Sequence, residues 1–243
     1  MFDGGGFARE MAAVGVLGVV FYALESSLGP LLAQRFPGYG DLDGARRRQL
    51  RVRAFEGMAC TYLSAGGVAG AVAYAASGLN YVTGQQTFAH AHLVALAAFY
   101  LFHLWRMAAA GGYPPALYPH HAFMATGLVC CLYFDMLYFY VLLSAVPAGG
   151  AVVRNLRWAA RLSKGATPAP SPLAAATAIL LLELPAPLWG FGHFYAVGLR
   201  DGHIPGPVWA LVIVPAVAST AMAAWFVAGA FREASRRRLA RGA

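Results

Sequence analysis

The chain has 243 residues, 59% hydrophobic and only 12% charged, with a mean hydropathy of +0.57. Soluble domains carry about 25% charged residues, so too little polar surface is available here for a water-exposed fold; a soluble enzyme, a disordered tail and a disulfide-framed secreted domain are excluded. The net charge of +8 comes from 17 Arg and one Lys, placed beside apolar stretches as topology signals are, so no nucleic-acid partner is expected.

Six apolar stretches follow one another: 11–33, 54–77, 86–109, 119–147, 173–198 and 206–231, of 23, 24, 24, 29, 26 and 26 residues. A helix spanning a bilayer needs about 20 mostly apolar residues. The stretches do not alternate as barrel strands do, and lipid demands internal backbone hydrogen bonding. The expected fold is therefore an all-α, polytopic transmembrane helix bundle.

The first ten residues lack a basic region followed by a short apolar core and carry Asp3 and Glu10, so no cleaved targeting signal is expected and 11–33 reads as a retained helix. Pro37-Gly38-Tyr39-Gly40 turns the chain. The second stretch holds Gly66 and Gly70 as a G-x-x-x-G, which lets a neighbouring backbone approach closely. Gly111-Gly112-Tyr113-Pro114-Pro115 precedes the fourth stretch. Cys60, Cys130 and Cys131 all fall in apolar stretches and read as packing residues. Between 151 and 164, Val152, Val153, Leu156, Ala159 and Leu162 recur at helical spacing, with Arg154, Arg157, Arg161 and Lys164 on the other face beside Trp158. That pattern predicts a short helix in the membrane interface that touches lipid headgroups, with a solvated basic loop as the alternative. A Pro-rich turn spans 167–172. In the fifth stretch, Pro185 and Pro187 remove backbone donors and break the helix just after Glu183. Glu183 is expected to satisfy groups freed in neighbouring helices.

Six crossings would divide the basic residues eight against ten. If 116–153 is instead a helical hairpin turning near Asp135, seven crossings divide them sixteen against two, leaving only Arg9 and Arg200 on the minor side. The positive-inside rule favours seven. The objection is that the turn region, Cys131 to Leu137, has neither Gly nor Pro.

Only five charged residues lie inside the stretches: Glu25, Glu56, Arg106, Asp135 and Glu183. Ionisable groups in spans are costly and mark function by default. Six histidines, at 90, 92, 103, 120, 121 and 193, also lie in or beside stretches. A single haem between His103 and His193 is one redox reading. The histidines are too few for a di-iron box set. His120-His121 opens a helix after Tyr118-Pro119, where a neutral imidazole can act as general base with Asp135 or Glu183 as orienting carboxylate. The alternative is that the pair sits at headgroup level, hydrogen-bonded to lipid or backbone.

Together, His120-His121 and Glu183-Leu184-Pro185-Ala186-Pro187 resemble the His-His and Glu-x-x-x-Pro motifs of the TLC-domain family, which includes the ceramide synthases. Arg51 to Tyr74 and Tyr100 to Trp105 resemble that family's first two domain helices. The resemblance covers 50–231, with an extra N-terminal helix and basic loop in 1–49 and a basic tail at 232–243. It implies a helical membrane domain and, for the synthase members, lipid acyl transfer with the His pair as general base. Those members carry an Asp-x-x-x-Asp after the histidines, and this chain has none. The first expectation is therefore a non-catalytic, lipid-contacting supernumerary subunit of a larger membrane complex. A TLC-type lipid acyltransferase using His120, His121 and Asp135 is the alternative, a single-haem redox protein a third, and lipid sensing or transport through Asp135 and Glu183 a fourth. Bound phospholipid, other membrane subunits and no cofactor are expected. The mitochondrial inner membrane would suit the subunit and the endoplasmic reticulum the enzyme.

Overall fold

The described residues of this computed structural model are 4–164, 171–201 and 206–242. They form nine α-helices and no strand: α1 (Gly4–Arg35), α2 (Gly44–Ala76), α3 (Thr87–Ala110), α4 (Leu117–Phe134), α5 (Tyr138–Ala145), α6 (Gly149–Leu162), α7 (Pro172–Glu183), α8 (Pro185–Asp201) and α9 (Gly206–Gly242). The expected all-α membrane bundle is what the chain forms. Five helical segments are long and apolar enough to cross a membrane: Gly5–Arg35, Gly44–Ala76, Thr87–Ala110, Tyr138–Leu162 and Pro172–Val197, as an integral multi-pass protein requires. The Pro-rich turn at 167–170, Asp3 and His203 lie outside the described residues.

Helix ends follow local chemistry. Asp43 caps α2 by accepting a hydrogen bond from the Arg46 N–H at 2.8 Å. Ser171 caps α7 through the Ala174 N–H at 3.1 Å, with Pro172 in the first turn. Gly111 ends α3 with φ +67°. The predicted proline break falls at Leu184, between α7 and α8, because Pro185 has no N–H to continue the ladder.

Contacts between helices fix their directions. Glu10 meets His90 and Glu25 meets Arg106, so α1 and α3 run parallel. Arg48, in the first turns of α2, donates to Ala109 O near the end of α3, so α2 opposes both. His121 near the start of α4 meets His103 late in α3, while Asp135 just past α4 meets Gln85 just before α3. The chain then reverses. The Leu137 N–H donates to Val82 O at 2.8 Å, and α5–α6 runs back along α2 until Asn155 reaches Arg53. Tyr140 with His193, and Arg154 with Glu183, set α7–α8 antiparallel to α5–α6. Trp209 against Phe194 sets α9 antiparallel to α7–α8, and Glu233 against Arg157 sets it parallel to α5–α6.

The described residues thus make seven traverses of the bundle, with the hairpin at 135–137. One end carries sixteen basic positions and the other Arg9 and Arg200. The reversal is made without glycine: Asp135 (φ 53°) and Leu137 (φ 68°) both adopt the left-handed conformation. Burial of Leu137 and Tyr138, with the Leu137–Val82 bond, holds a geometry that non-glycine residues otherwise avoid.

α3 is the central helix; 67% of its apolar window is buried, against 17% for α1. The G-x-x-x-G of α2 is closely packed, but against side chains instead of the expected backbone: a Cβ on Gly66 would lie 2.8 Å from the His92 ring of α3, and one on Gly70 2.7 Å from Leu142 of α5 and from Phe88 of α3. Gly67 is equally close-packed, with Leu142 O 2.6 Å from where a Cβ would be. The segment expected in the membrane plane, 151–164, is helical but continues the α5 traverse as α6. Its arginine face turns toward Glu183 and Glu233 instead of standing alone at an interface.

Two outcomes follow from this arrangement. In a cysteine-free background, Gly40→Cys and Lys164→Cys will react with an impermeant maleimide from one side of a sealed vesicle and Asn80→Cys from the other; labelling of all three from one side overturns the seven-traverse path. Gly67→Val will lower the thermal midpoint in detergent, by about 1–3 kcal/mol of stability, because it meets backbone.

Candidate functional site

Toward the basic end, polar side chains from five helices converge inside the bundle. α2 places Arg53, Glu56 and Cys60 on one face by their three- and four-residue spacing. α3 contributes Tyr100 and His103, α4 His120 and His121, α6 Arg154 and Asn155, and α7 Glu183.

The histidines are wired in sequence. Leu117 O lies 2.9 Å from His121 Nδ1, which must therefore carry the proton. His121 Nε2 is then an acceptor, and His103 Nδ1–H donates to it at 3.0 Å. His103 Nε2 faces Glu56 Oε2 at 3.6 Å. The same Glu56 oxygen accepts from Asn155 Nδ2 at 2.9 Å. His103 is fully buried and His121 nearly so.

His120 differs from its neighbour. Its Nδ1 is buried without a hydrogen-bond partner. It lines a cavity of about 50 Å³ with His121, Tyr100, Cys60, Glu56 and Glu183. In the tautomer protonated at Nε2, Nδ1 carries a free lone pair and can accept a proton from a group entering the cavity. His121, by contrast, is spent on Leu117 and His103 and positions the wiring.

Arg154 closes another side. It bridges to Glu183 and stacks over Phe226 at 4.2 Å. Gly150 makes room for Glu183, whose carboxylate would overlap any side chain there. Beyond Arg154 a larger cavity of about 360 Å³ opens at the basic end and shares Glu56, Leu117 and Arg154 with the small one. Arg157 and Arg161 both bridge to Glu233 on its wall, and Trp158 stacks on Arg53 at 4.7 Å. Tyr113 lies in the loop before α4, where burial pushes its hydroxyl above the ordinary tyrosine range.

Of the residues singled out in sequence, His120, His121, Glu183, Arg154, Arg157, Trp158 and Arg161 come together around the two cavities. Lys164 is exposed at the end of α6, apart from them. Asp135 does not join the histidines. It follows α4, 14 residues beyond His121, about 21 Å along a helix, and pairs with Gln85 and Tyr138 at the opposite end of the bundle. The carboxylate that serves the histidines is Glu56. The haem pair is not assembled either: His103 is held by His121, while His193 bonds Tyr140 at 3.1 Å and stacks near Tyr81 and Trp189 in a separate aromatic cluster. Among the described residues, no group of three His, Cys, Asp or Glu is placed to hold a metal. Arg53, Tyr113 and the pairing of His103 with Glu56 were not singled out as site features by the sequence reading. Glu56 carried a legible signal, a charge within an apolar stretch.

The chain matches no protein-family model, no curated protein and no solved structure.

Removing one partner of a buried ion pair leaves the other uncompensated. Arg154→Leu is expected to cost about 3 kcal/mol, and Arg154→Leu with Glu183→Leu markedly less. Thermal unfolding of the purified protein in detergent measures both, and equal losses would contradict the pairing.

Proposed function

We propose that this protein is a lipid acyltransferase working within the membrane, with His120 as general base. The observation carrying the reading is the unpartnered, buried Nδ1 of His120, a residue that lines a small cavity adjoining a larger basic one. The small cavity suits a reacting carbonyl, and the larger one a polar head. In this scheme His120 Nδ1 takes the proton of an attacking hydroxyl or amine as its heteroatom adds to the acyl carbonyl, then returns it to the leaving group. His121, His103 and Glu56 hold the site's geometry. Arg154 places positive charge beside the cavity, where it favours the oxyanion. The likeness of His120-His121 and Glu183 to Pro187 to the TLC-domain motifs supports the same chemistry and, with it, the endoplasmic reticulum. Asp135 has no part in this scheme.

A second reading is a non-catalytic, lipid-contacting subunit of a larger membrane complex, as in the mitochondrial inner membrane. It is favoured by α1, the least buried span, whose outer face exposes Val16, Val19, Val20, Leu24 and Leu31 to lipid or to a partner helix.

His120→Ala is expected to reduce acyl transfer in membranes by about 10²-fold or more, and His121→Ala by less, at unchanged expression. Turnover that survives His120→Ala rejects the mechanism. Fixed-stoichiometry co-purification with a complex, without turnover, selects the subunit.

A further inference from the structure

The larger cavity contains a guanidinium with no carboxylate in direct contact; Glu56, on the same wall, is linked to it only through Asn155. Arg53 is 9% exposed and Tyr113 7%, and both line it. The Arg53 guanidinium is sandwiched between the Tyr113 ring at 4.2 Å and the Trp158 ring at 4.7 Å. Its Nη1 donates to Asn155 Oδ1 at 3.1 Å and its Nη2 to Gly112 O at 3.4 Å, both neutral acceptors. Among the described residues no carboxylate pairs with it, and its Nε–H has no acceptor. The Tyr113 hydroxyl is likewise buried without a partner. Three other arginines of the cavity differ: Arg154 is paired with Glu183, and Arg157 and Arg161 share Glu233.

A buried guanidinium with no anion in direct contact is disfavoured, and buried donors without acceptors are rare. Two such donors on residues of one cavity wall lack an acceptor, and an anion with several oxygens would supply it. The aromatic clamp holds the guanidinium flat, which suits presentation to a phosphate oxygen.

The geometry points to a phosphoryl-binding site in this cavity, with Arg53 and Tyr113 as its anchors, for the phosphate of a phospholipid headgroup or of a soluble phosphate compound. The inference needs only the vestibule, and it names the polar group of the ligand that the proposed acyl transfer would draw on.

The test uses the full chain in nanodiscs. In phosphatidylcholine-only discs, inorganic pyrophosphate is titrated while tryptophan fluorescence is followed, since Trp158 and Trp225 line the cavity. In discs with one fifth phosphatidic acid, retained lipid is read by native mass spectrometry. Saturable pyrophosphate binding identifies a soluble phosphate as the source; selective retention of phosphatidic acid identifies a headgroup. In whichever arm binds, Arg53→Gln is expected to weaken binding about tenfold or more, and Tyr113→Phe several-fold. Arg35→Gln, which removes the same charge at the end of α1, is expected to leave it unchanged. Tyr113→Phe keeps the ring and carries the test alone if Arg53→Gln does not fold. Binding in neither arm overturns the site, as does equal binding by Tyr113→Phe and wild type, or equal weakening by Arg35→Gln. Loss of turnover with retained phosphate binding in His120→Ala separates this site from the acid–base chemistry.

Discussion

A charge inside a lipid-embedded bundle must find its partner within the protein, because the hydrocarbon supplies neither counter-ion nor hydrogen bond. This constraint organises the interior. Glu25 of α1 is fully buried and receives both Nε and Nη2 of Arg106 from α3, at 2.5 and 2.7 Å. Glu183 of α7 is held by Arg154 of α6. Glu56 of α2 is held by Asn155 of α6 and faces His103 of α3. Each pairing joins two helices and forces one register on them, since sliding either helix by a turn would strand a charge.

Small residues on α2 act with these pairs. Gly66 and Gly70 let side chains of α3 and α5 close in and Gly67 meets the α5 backbone, about three to five turns along from Glu56 and Arg53. Close approach at the apolar half of α2 and polar pairing at its basic half are thus parts of one packing solution. The hairpin at 135–137 follows from it, because α5 must return along α2 for Asn155 to arrive opposite Arg53. The left-handed backbone at Asp135 and Leu137 is the local cost of that return.

The two polar networks at opposite ends of the bundle differ in kind. At the less basic end, His90 Nε2 lies 2.9 Å from Glu10, His90 Nδ1 lies 2.9 Å from the Tyr138 hydroxyl, and Tyr138 reaches Asp135. Every member has a partner, and the network ties α1 to α3 and to the α4–α5 turn. At the basic end, His120, Arg53 and Tyr113 retain unpaired buried atoms beside open space. A satisfied network rigidifies, whereas an unsatisfied one beside a cavity is arranged for something that enters.

Hydropathy, charge distribution and motif spacing by themselves determined the helical class, the six apolar stretches, the proline break after Glu183 and the place of the His pair at a helix mouth. Counting arginines also implied the hidden hairpin, because topology signals act through loop charge, which is a one-dimensional property. Which carboxylate serves the histidines was decided only in three dimensions. Asp135 and His121 share one apolar stretch, yet the helical rise separates them, while Glu56, 65 positions before His121, meets it through His103. Likewise Arg154, Arg157 and Arg161 form a legible basic face, but whether that face meets lipid, solvent or the bundle interior depends on which helices lie beside α6. Neighbour order among helices is set by the summed packing of small residues and buried ion pairs, and no local window of sequence contains that sum.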